Sequence, residues 1–521
     1  MRTARIAVIG AGVGGLAAAL DLARSGVEVL LFERAAAPGG KVREVELGGL
    51  RMDAGPTVFT LRGVFDQLFA DAGDNLDRRL NLVPARLLAR HAWESGGQLD
   101  LFADISRSIQ AIGDFAGSGA AHGFARFIAQ ARRIYMTLDE AYICAARPSP
   151  LGLVRHVGFA GLSELWNVRP FANLWRHLGG YFDDIRLQQL FGRYATYCGS
   201  SPFLAPATLM LVAHVEQSGV WYVEGGMHRL AVALERLAVQ LGACLRYGCE
   251  VTQIHVDKGR VSAVEINGRE RVEVDAIVCN ADNNALACGR FGRAAASSVN
   301  ATPAAARSLS AVTWNLLART EGFALAHHSV FFSADYRAEF DDIFVRRSLP
   351  RSPTIYVCAQ DRHDADGVRP LQAERLLCLV NAPAIGDTHT FDAAEIESCE
   401  TRVFRLLERF GLSVDRQPSA TLATNPSDFE RLFPATGGAL YGPASHGWRA
   451  SFTRAGSRSR LPGLYLAGGS SHPGAGLPMA AISGRLAAAC IIADHASIAR
   501  SRPVAMFGGT SMRSATMERT R

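Results

Sequence analysis

The stretch RIAVIGAGVGG, residues 5–15, constrains the fold more than any other feature, because an apolar run ends there in closely spaced glycines. Gly10, Gly12 and Gly15 precede an alanine-rich helical pattern, so bare backbone N–H groups lie at a helix N-terminus, where phosphate oxygens bind well. The next apolar run ends at Glu33, 18 residues after Gly15, where a ribose-binding carboxylate is expected. This spacing predicts a strand–helix–strand unit that binds a dinucleotide; a glycine-rich turn without a ligand is the alternative.

Length and composition indicate a globular protein of two or more domains. The chain has 521 residues, of which 48% are hydrophobic. It has no run of about 18 uninterrupted apolar residues and no signal-peptide pattern, so we expect a cytoplasmic protein that does not span a membrane. The ten cysteines and fourteen histidines lack metal-ligand spacings, and we expect no metal.

The charge pattern excludes one class of partner. The net charge is +6, and Lys41 and Lys258 are the only lysines beside many arginines. No basic stripe with interleaved base-stacking aromatic residues occurs, so we expect no nucleic-acid binding. The arginine content fits either coding bias or an anionic lipid surface, and both stay open.

Further glycine-rich loops indicate which dinucleotide binds. One follows the first unit and contains Gly39-Gly40-Lys41, and another is Asp53-Ala54-Gly55-Pro56-Thr57. Near the end, residues 463–493 read as a buried strand, a glycine-rich loop and a helix from about Leu477. Two helix N-termini directed at one ligand fit FAD better than NAD.

The order of these segments predicts discontinuous domains. The strand that ends at Asn280-Ala281-Asp282 returns to the nucleotide-binding sheet, whereas residues 65–213 read as helix-rich without strand alternation. We expect an FAD-binding domain from residues 1–85, 220–300 and 455–498 and a substrate-binding, helical domain from 86–219 and 301–454. Residues 499–521 are expected to form a disordered tail.

The motifs GAGVGGLAAA, FER, PGGK, DAGPT, VEGGMHRLAVAL and GLYLAGGSSHPGAGLP span nearly the whole chain. Together they resemble the flavin amine oxidase superfamily and, within it, the phytoene desaturase family of carotenoid desaturases. The resemblance implies an α/β fold with a Rossmann-like FAD-binding domain, an α+β substrate domain and a helical, membrane-facing portion. Residues 190–216 are similar to the branch that acts on hydroxylated acyclic carotenoids, which implies C3–C4 desaturation of an acyclic 1-hydroxycarotenoid.

The resemblance also implies a set of residues that bind FAD non-covalently. They are Gly10, Gly12, Gly14, Gly15, Glu33 and Arg34 for the pyrophosphate and ribose, Gly40 and Lys41 for the phosphate loop, Gly55, Pro56 and Thr57 beside the flavin, Val251 at the adenine, and Gly468, Gly469, Gly476 and Met479 in the closing segment. Lys41 stands where many members have arginine, so the charge is kept and the bidentate fork is lost. Ser470 stands where many superfamily members have an acid, so no carboxylate role is transferred there.

Three other polar residues near these loops leave two interpretations open. His472 is either an attachment point for the flavin or a loop histidine bonded to the backbone. Asp53 and Glu224 either face the flavin or cap turns. The sequence identifies no catalytic base.

A desaturase needs a hydride acceptor, a proton route and a long apolar pocket, and hence few catalytic side chains. The candidates for hydrogen bonding to a substrate hydroxyl are polar residues of the 190–216 segment, namely Arg193, Tyr194, Tyr197 and His214. The alternative is that they pack or pair within the helical domain.

Residues 150–182 interleave aromatic rings with arginines, a mix typical of a bilayer interface and also of a half-buried helix pair. We expect peripheral attachment to the membrane surface. Oxygen or a quinone is the expected electron acceptor, and the sequence predicts no oligomeric state.

Other functions compete with this interpretation. Within the family the alternatives are a phytoene desaturase and a carotenoid isomerase or saturase. An amine oxidase shares the fold but typically uses a substrate-domain lysine, and neither lysine of this chain suits that role. A non-enzymatic isoprenoid carrier would not need the closing flavin segment.

Overall fold

The computed structural model describes residues 3–146, 171–362 and 373–501. In chain order the strands are β1 Arg5–Ile9, β2 Glu28–Phe32, β3 Glu44–Leu47, β4 Leu50–Asp53, β5 Phe59–Thr60, β6 Leu82–Pro84, β7 Leu87–Trp93, β8 Gln98–Phe102, β9 Val220–Val223, β10 Cys244–Arg246, β11 Val251–Asp257, β12 Arg260–Ile266, β13 Glu270–Glu273, β14 Ala276–Cys279, β15 Ser310–Gly322, β16 His328–Phe332, β17 Ile355–Ala359, β18 Glu374–Ala382, β19 Leu412–Asp415, β20 Thr421–Thr424 and β21 Leu464–Leu466. The α-helices are α1 Val13–Arg24, α2 Arg62–Asp71, α3 Leu76–Arg79, α4 Ile105–Ala116, α5 Ser118–Leu138, α6 Leu174–Leu178, α7 Ile185–Gly192, α8 Leu211–Gln217, α9 His228–Gln240, α10 Asn283–Ala287, α11 Arg293–Ala296, α12 Tyr336–Asp341, α13 Ala393–Arg409, α14 Pro426–Leu432, α15 Ala450–Thr453 and α16 Leu477–Ser501.

The nucleotide-binding sheet is parallel and has the order β10-β2-β1-β14-β21. Its strands come from the three chain segments that the sequence analysis grouped together, and the α/β fold is confirmed. Helices α1 and α16 pack on each other and on one face of the sheet. Their approach is close because a Cβ on Gly484 would lie 2.0 Å from the carbonyl oxygen of Gly14.

A second sheet forms the other layer, in the order β19-β15-β18-β17-β16-β7-β8 with β20 paired to β15. It is antiparallel except between β16 and β7. The expectation of a helix-rich stretch without strands from residue 65 is wrong for β6, β7 and β8. Strand β7 is buried along nearly its whole length, so its sequence, LLARHAW, does not alternate between apolar and polar residues as a half-exposed strand would.

A helical layer covers one end of the second sheet. Stacked and edge-on rings of Phe124, Phe127, Phe182 and Phe191 form its core, with centroid separations of 4.8 to 5.6 Å. Of the predicted membrane segment 150–182, residues 150–170 lie outside the described residues. The predicted tail also lies outside them from residue 502 onward.

One helix of the described chain is long and apolar enough to cross a membrane. Within α16, Leu477–His495 has a mean hydropathy of 1.4, and half of it is buried inside the protein. It packs on α1 and α2, an arrangement typical of a core helix.

Candidate functional site

A cavity of about 670 Å³ lies where the glycine-rich loops meet the second sheet and the helical layer. All of the predicted cofactor residues line it except Gly15. Gly15 has a packing role, because a Cβ there would lie 2.0 Å from the Gly10 carbonyl oxygen. The structure therefore brings together loops that are far apart in the sequence.

The first glycine turn leaves backbone donors open toward the cavity. Gly12 is the N-cap of α1 and provides no side-chain cap, so the first-turn N–H groups stay available to a ligand. Gly10 has a φ of +98°, which favours glycine. A Cβ on Gly12 would lie 2.6 Å from Asn280 Nδ2, so the turn fits tightly against the end of β14.

Glu33 lies at the end of β2, beside this turn. Its carboxylate accepts hydrogen bonds from the Ala11 N–H at 2.7 Å and the Ala35 N–H at 2.8 Å. These bonds fix the carboxylate at the cavity edge and leave it acceptor capacity for ribose hydroxyls. The neighbouring Arg34 lines the cavity, but its guanidinium donates to the carbonyls of Arg431 and Leu432.

Lys41 brings a cation to the cavity wall. Its ammonium donates to the Leu440 carbonyl over 2.6 Å and lies 5.2 Å from the centroid of the Phe433 ring. Burial lowers the pKa of Lys41 from its usual range. The side chain thus joins the phosphate loop to the 433–440 segment.

Arg454 holds the loops beside the closing segment. Its guanidinium donates to the carbonyls of Tyr441, Pro443 and Gly469 at 2.7 to 3.2 Å. Burial lowers the pKa of Arg454. Sequence reasoning missed this residue because its partners are scattered along the chain and leave no local spacing to read.

The closing segment directs α16 at the cavity. Gly468 and Gly476 adopt φ values of +102° and +119°, and α16 begins at Leu477. Ser470 is buried and accepts a hydrogen bond from the Asn283 N–H at 3.0 Å. A serine hydroxyl therefore fastens this loop to the start of α10 (Asn283–Ala287).

His472 lies outside the residues that line the cavity. Its Nε2 lies 2.7 Å from the Tyr142 carbonyl oxygen, and its ring meets the Tyr142 ring edge-on at 4.9 Å. Burial lowers the pKa of His472 to about 4, so the ring is neutral near pH 7. This geometry is that of a loop histidine bonded to the backbone.

The two acids near the flavin loops have structural partners. Asp53 is buried and accepts the Met227 N–H over 2.8 Å, which caps the start of α9 (His228–Gln240). Glu224 accepts a hydrogen bond from the Asn81 amide at 2.6 Å at the surface. The Asp53 contact is a cap interaction, and the Glu224 contact is a surface hydrogen bond between two side chains.

A polar cluster, comprising Arg193, Tyr194, Tyr197 and Glu216, lies at the cavity wall. The hydroxyls of Tyr194 and Tyr197 both donate to the carboxylate of Glu216, at 2.5 Å and 3.3 Å respectively. Arg193 donates to the Tyr197 hydroxyl at 3.3 Å. Arg193, Tyr197 and Glu216 line the cavity, whereas Tyr194 does not. Burial raises the pKa of Glu216. Glu216 was not singled out from the sequence, although it ends the 190–216 segment.

His214 lies apart from this cluster. Its ring packs on the Tyr135 ring at 5.1 Å, and Ser218 bonds its backbone carbonyl at 2.7 Å. It is not among the cavity-lining residues. Of the four predicted hydroxyl contacts, the structure thus brings Arg193 and Tyr197 to the cavity.

Most of the remaining cavity wall is apolar. Its aliphatic residues come from the helical layer and the second sheet and include Leu138, Ile143, Leu209, Leu211, Val212, Val215, Leu377 and Leu379. The site therefore combines phosphate-binding loops with a compartment suited to a hydrocarbon.

Comparison with known proteins gives a family and near relatives. The sequence profile of the flavin-containing amine oxidoreductase family matches residues 13–492. A hydroxyneurosporene desaturase of Rubrivivax gelatinosus is 54% identical over 99% of this chain and 98% of its own length. A protein of the same name from Cereibacter sphaeroides is 44% identical over 95% of this chain and 99% of its own.

Solved structures share the fold at low sequence identity. Putrescine oxidase bound to putrescine matches with a TM-score of 0.58 at 15% identity, over 94% of this chain and 99% of that one. An oxidoreductase of Methanosarcina mazei matches with a TM-score of 0.57 at 16% identity, over 92% and 99%. At these identities the likeness is one of fold.

Proposed function

The chain belongs to the flavin-containing amine oxidoreductase family, and on that premise we propose that it is an FAD-dependent desaturase that forms the C3–C4 double bond of acyclic 1-hydroxycarotenoids. The observation that carries this proposal is near-full-length identity of 54% and 44% to two hydroxyneurosporene desaturases. A third relative, at 28% identity, is named a 1-hydroxycarotenoid 3,4-desaturase.

The residues of the site fit FAD. The turn at Gly12 presents backbone donors for a pyrophosphate, Glu33 presents acceptors for a ribose, and Lys41 adds a cation. A side chain at Gly12 would enter the space against Asn280. Bound there, FAD supplies a hydride acceptor.

The rest of the cavity suits an acyclic carotenoid. Its aliphatic wall would exclude water from the chain, and the loop at Gly55, Pro56 and Thr57 lies at the same cavity. Loss of a hydride from C4, which is allylic to the polyene, leaves a charge that the conjugated chain spreads. Loss of a C3 proton then completes the double bond.

The polar cluster provides a way to select the hydroxylated end. The C1 hydroxyl lies two carbons beyond C3, so a group that reads it must lie near the reacting carbons. Arg193, Tyr197 and Glu216 face the cavity, and Tyr356 links the cluster to the flavin loop through its 2.7 Å contact with Thr57. These groups already bond to one another, and the guanidinium of Arg193 has further N–H donors beyond the one bonded to Tyr197. A substrate hydroxyl would accept from such a donor, and a substrate without the hydroxyl would not.

The chain's lysines argue against amine oxidation. Lys41 is held by the Leu440 carbonyl, and Lys258 lies in the turn between β11 and β12. Neither is placed in the substrate compartment to hold a water molecule at the flavin.

The test is to incubate the purified, flavin-loaded protein with 1-hydroxyneurosporene in liposomes, with oxygen or with a quinone under anaerobic conditions. We expect a product with one more conjugated double bond, seen as a red-shifted absorption spectrum, and slower conversion of neurosporene. A product with one double bond fewer would identify a saturase, and a product of unchanged mass with altered double-bond geometry would identify an isomerase. Turnover of an amine without carotenoid conversion would identify an amine oxidase. Comparison of the two acceptors identifies the one used.

Peripheral attachment to a membrane belongs to this proposal, because a carotenoid dissolves in lipid. Phe171 and Trp448 are 62% and 41% exposed, and their rings contact edge-on at 5.1 Å. Arg449 lies 5.3 Å from the Trp448 ring centroid, and Leu204 is half exposed nearby. Exposed aromatic rings beside an arginine suit the interface of an anionic bilayer.

A further inference from the structure

A row of polar side chains runs along one face of the second sheet between two cavities. Tyr356 on β17 lines the large cavity, and its hydroxyl lies 2.7 Å from Thr57 Oγ1 and 2.7 Å from Nδ1 of His328 on β16. His328 is only 4% exposed. The preceding residue, His327, lines a separate pocket of about 270 Å³ that also reaches Thr57.

The second ring nitrogen of His328 takes no part in the contact with Tyr356. This Nε2 atom is buried and has no hydrogen-bond partner among the residues that the structure describes. The rings of His327 and His328 lie 4.5 Å apart and nearly perpendicular. One side-chain nitrogen or sulfur atom from each of His327, His328 and Cys358 lies within 4.8 Å of the other two, a distance that one water molecule can bridge. A buried, unpartnered nitrogen is costly, so its placement calls for a function.

Desaturation needs a route for one proton out of an apolar cavity, where an isolated charge is strongly disfavoured. Resting on the proposed function, we propose that Tyr356, His328 and His327 form a relay that carries the C3 proton from the large cavity to the second pocket. None of these three residues was singled out in the sequence, because they meet only where β16 pairs with β17.

The proposed reaction removes one hydride and one proton from the substrate. The C4–H bond breaks with its electron pair going to the flavin as hydride, and the C3–H electron pair becomes the new double bond. The C3 proton goes to the Tyr356 oxygen while the Tyr356 proton moves to Nδ1 of His328. Nε2 of His328 then releases its proton toward His327 and the pocket. A hydroxyl suffices as the first acceptor, because a proton next to a carbocation is strongly acidic.

The surroundings of His328 suit a relay that passes a proton on. Burial, His327 and Arg193 all lower the pKa of His328, so the ring returns to its neutral form. Burial raises the pKa of Cys358 well above its usual range, which keeps it a thiol. The same three side chains are also of the kinds that bind metal ions, so metal binding is the competing interpretation that the metal measurement below tests.

The first test measures single-turnover desaturation by flavin-loaded variants. Tyr356→Phe and His328→Ala should each lower the rate by about 10²-fold with flavin content unchanged, and imidazole should restore part of the rate to His328→Ala. With substrate deuterated at C3, the isotope effect on the rate should rise in Tyr356→Phe, because loss of the C3 proton then limits the rate. The matched control is His91→Gln, which changes another buried histidine of the same sheet whose Nδ1 contacts the Leu99 carbonyl at 3.2 Å; it should keep the wild-type rate.

The second test needs no turnover. The protein is treated with diethyl pyrocarbonate, and modified histidines are identified by peptide mass spectrometry. The reagent should modify His327, which it reaches through the pocket, and the exposed His122, and it should leave the buried His91 unmodified.

Four results would each overturn the relay. They are unchanged rates in both relay variants, no rescue of His328→Ala by imidazole, a His327 that does not react, and the loss of one equivalent of bound metal in His328→Ala. Failure of the wild-type protein to convert the substrate would instead overturn the proposed function.

Discussion

The N–H of Ala11 donates to the carboxylate of Glu33 over 2.7 Å and so joins the first glycine turn to the end of the second strand. Glu33→Ala removes this bond as well as the ribose acceptors. We expect FAD affinity to fall by about 1–3 kcal/mol, or roughly 5- to 150-fold, in a fluorescence titration of the apoprotein. The FAD affinity of Glu33→Gln, which keeps an acceptor oxygen, should lie between that of Glu33→Ala and that of the wild type.

Gly12→Val should abolish flavin binding, because its side chain would occupy the space between the turn and Asn280. The purified variant should be colourless and still folded by circular dichroism. Gly119→Ala is the control, since a Cβ at that helical glycine meets nothing within 4 Å. Full flavin content in Gly12→Val would contradict the site described for the pyrophosphate.

The buried His472 predicts a pH dependence of stability. Burial lowers its pKa to about 4 in the folded protein, so below pH 6.5 the unfolded chain binds a proton that the folded protein excludes. This contribution is fully present above pH 6.5 and is lost as the pH falls toward 4, by about 3 kcal/mol. Urea unfolding at a series of pH values should show a shallower decline for His472→Gln.

Ser95→Ala is the control for that experiment, because Ser95 is an exposed turn residue without a titratable group. The pH dependence of its stability should match that of the wild type. If His472→Gln declines as steeply as the wild type, the histidine does not carry the effect.

Selection for the hydroxylated substrate should depend on the cavity face of the polar cluster. Arg193→Met and Tyr197→Phe should lower the ratio of kcat/KM for 1-hydroxyneurosporene over neurosporene by about tenfold or more, since an unpaired hydroxyl costs about 1–3 kcal/mol. His214→Leu, away from the cavity, should keep the ratio. Unchanged selectivity in both cavity variants would place the discrimination elsewhere, for example in tunnel length.

Membrane attachment should weaken when the exposed aromatic pair is removed. In flotation with anionic liposomes, the double variant Phe171→Ser and Trp448→Ser should move to the soluble fraction, and high salt should partly detach the wild type. Val239→Ser is the control, because Val239 is 51% exposed on the nucleotide-binding side. Wild-type protein that stays unbound to lipid and fully active would contradict the proposal.

The nucleotide-binding half could be predicted from the sequence because its signals are local. Gly10, Gly12 and Glu33 lie within one strand–helix–strand unit, where the backbone geometry of a tight turn dictates glycine at fixed intervals. The discontinuity of the sheet could also be predicted, since buried strands and glycine loops recur near Asn280 and Gly468. In contrast, strand β7 could not be predicted as a strand, because burial of both its faces removes the alternation that marks a strand.

The sequence by itself determined the cofactor turn, the helix that follows it and the family resemblance, all of which depend on residues close together in the chain. Only the tertiary structure decided that Glu216 joins Tyr197 at the cavity while His214 turns away, and that Arg454 holds three distant carbonyls. The tertiary structure alone places Thr57, Tyr356 and His328 in one hydrogen-bonded row. The physical reason is that the packing of helices, loops and paired strands sets these contacts, and the spacing of residues along the chain carries no record of that packing.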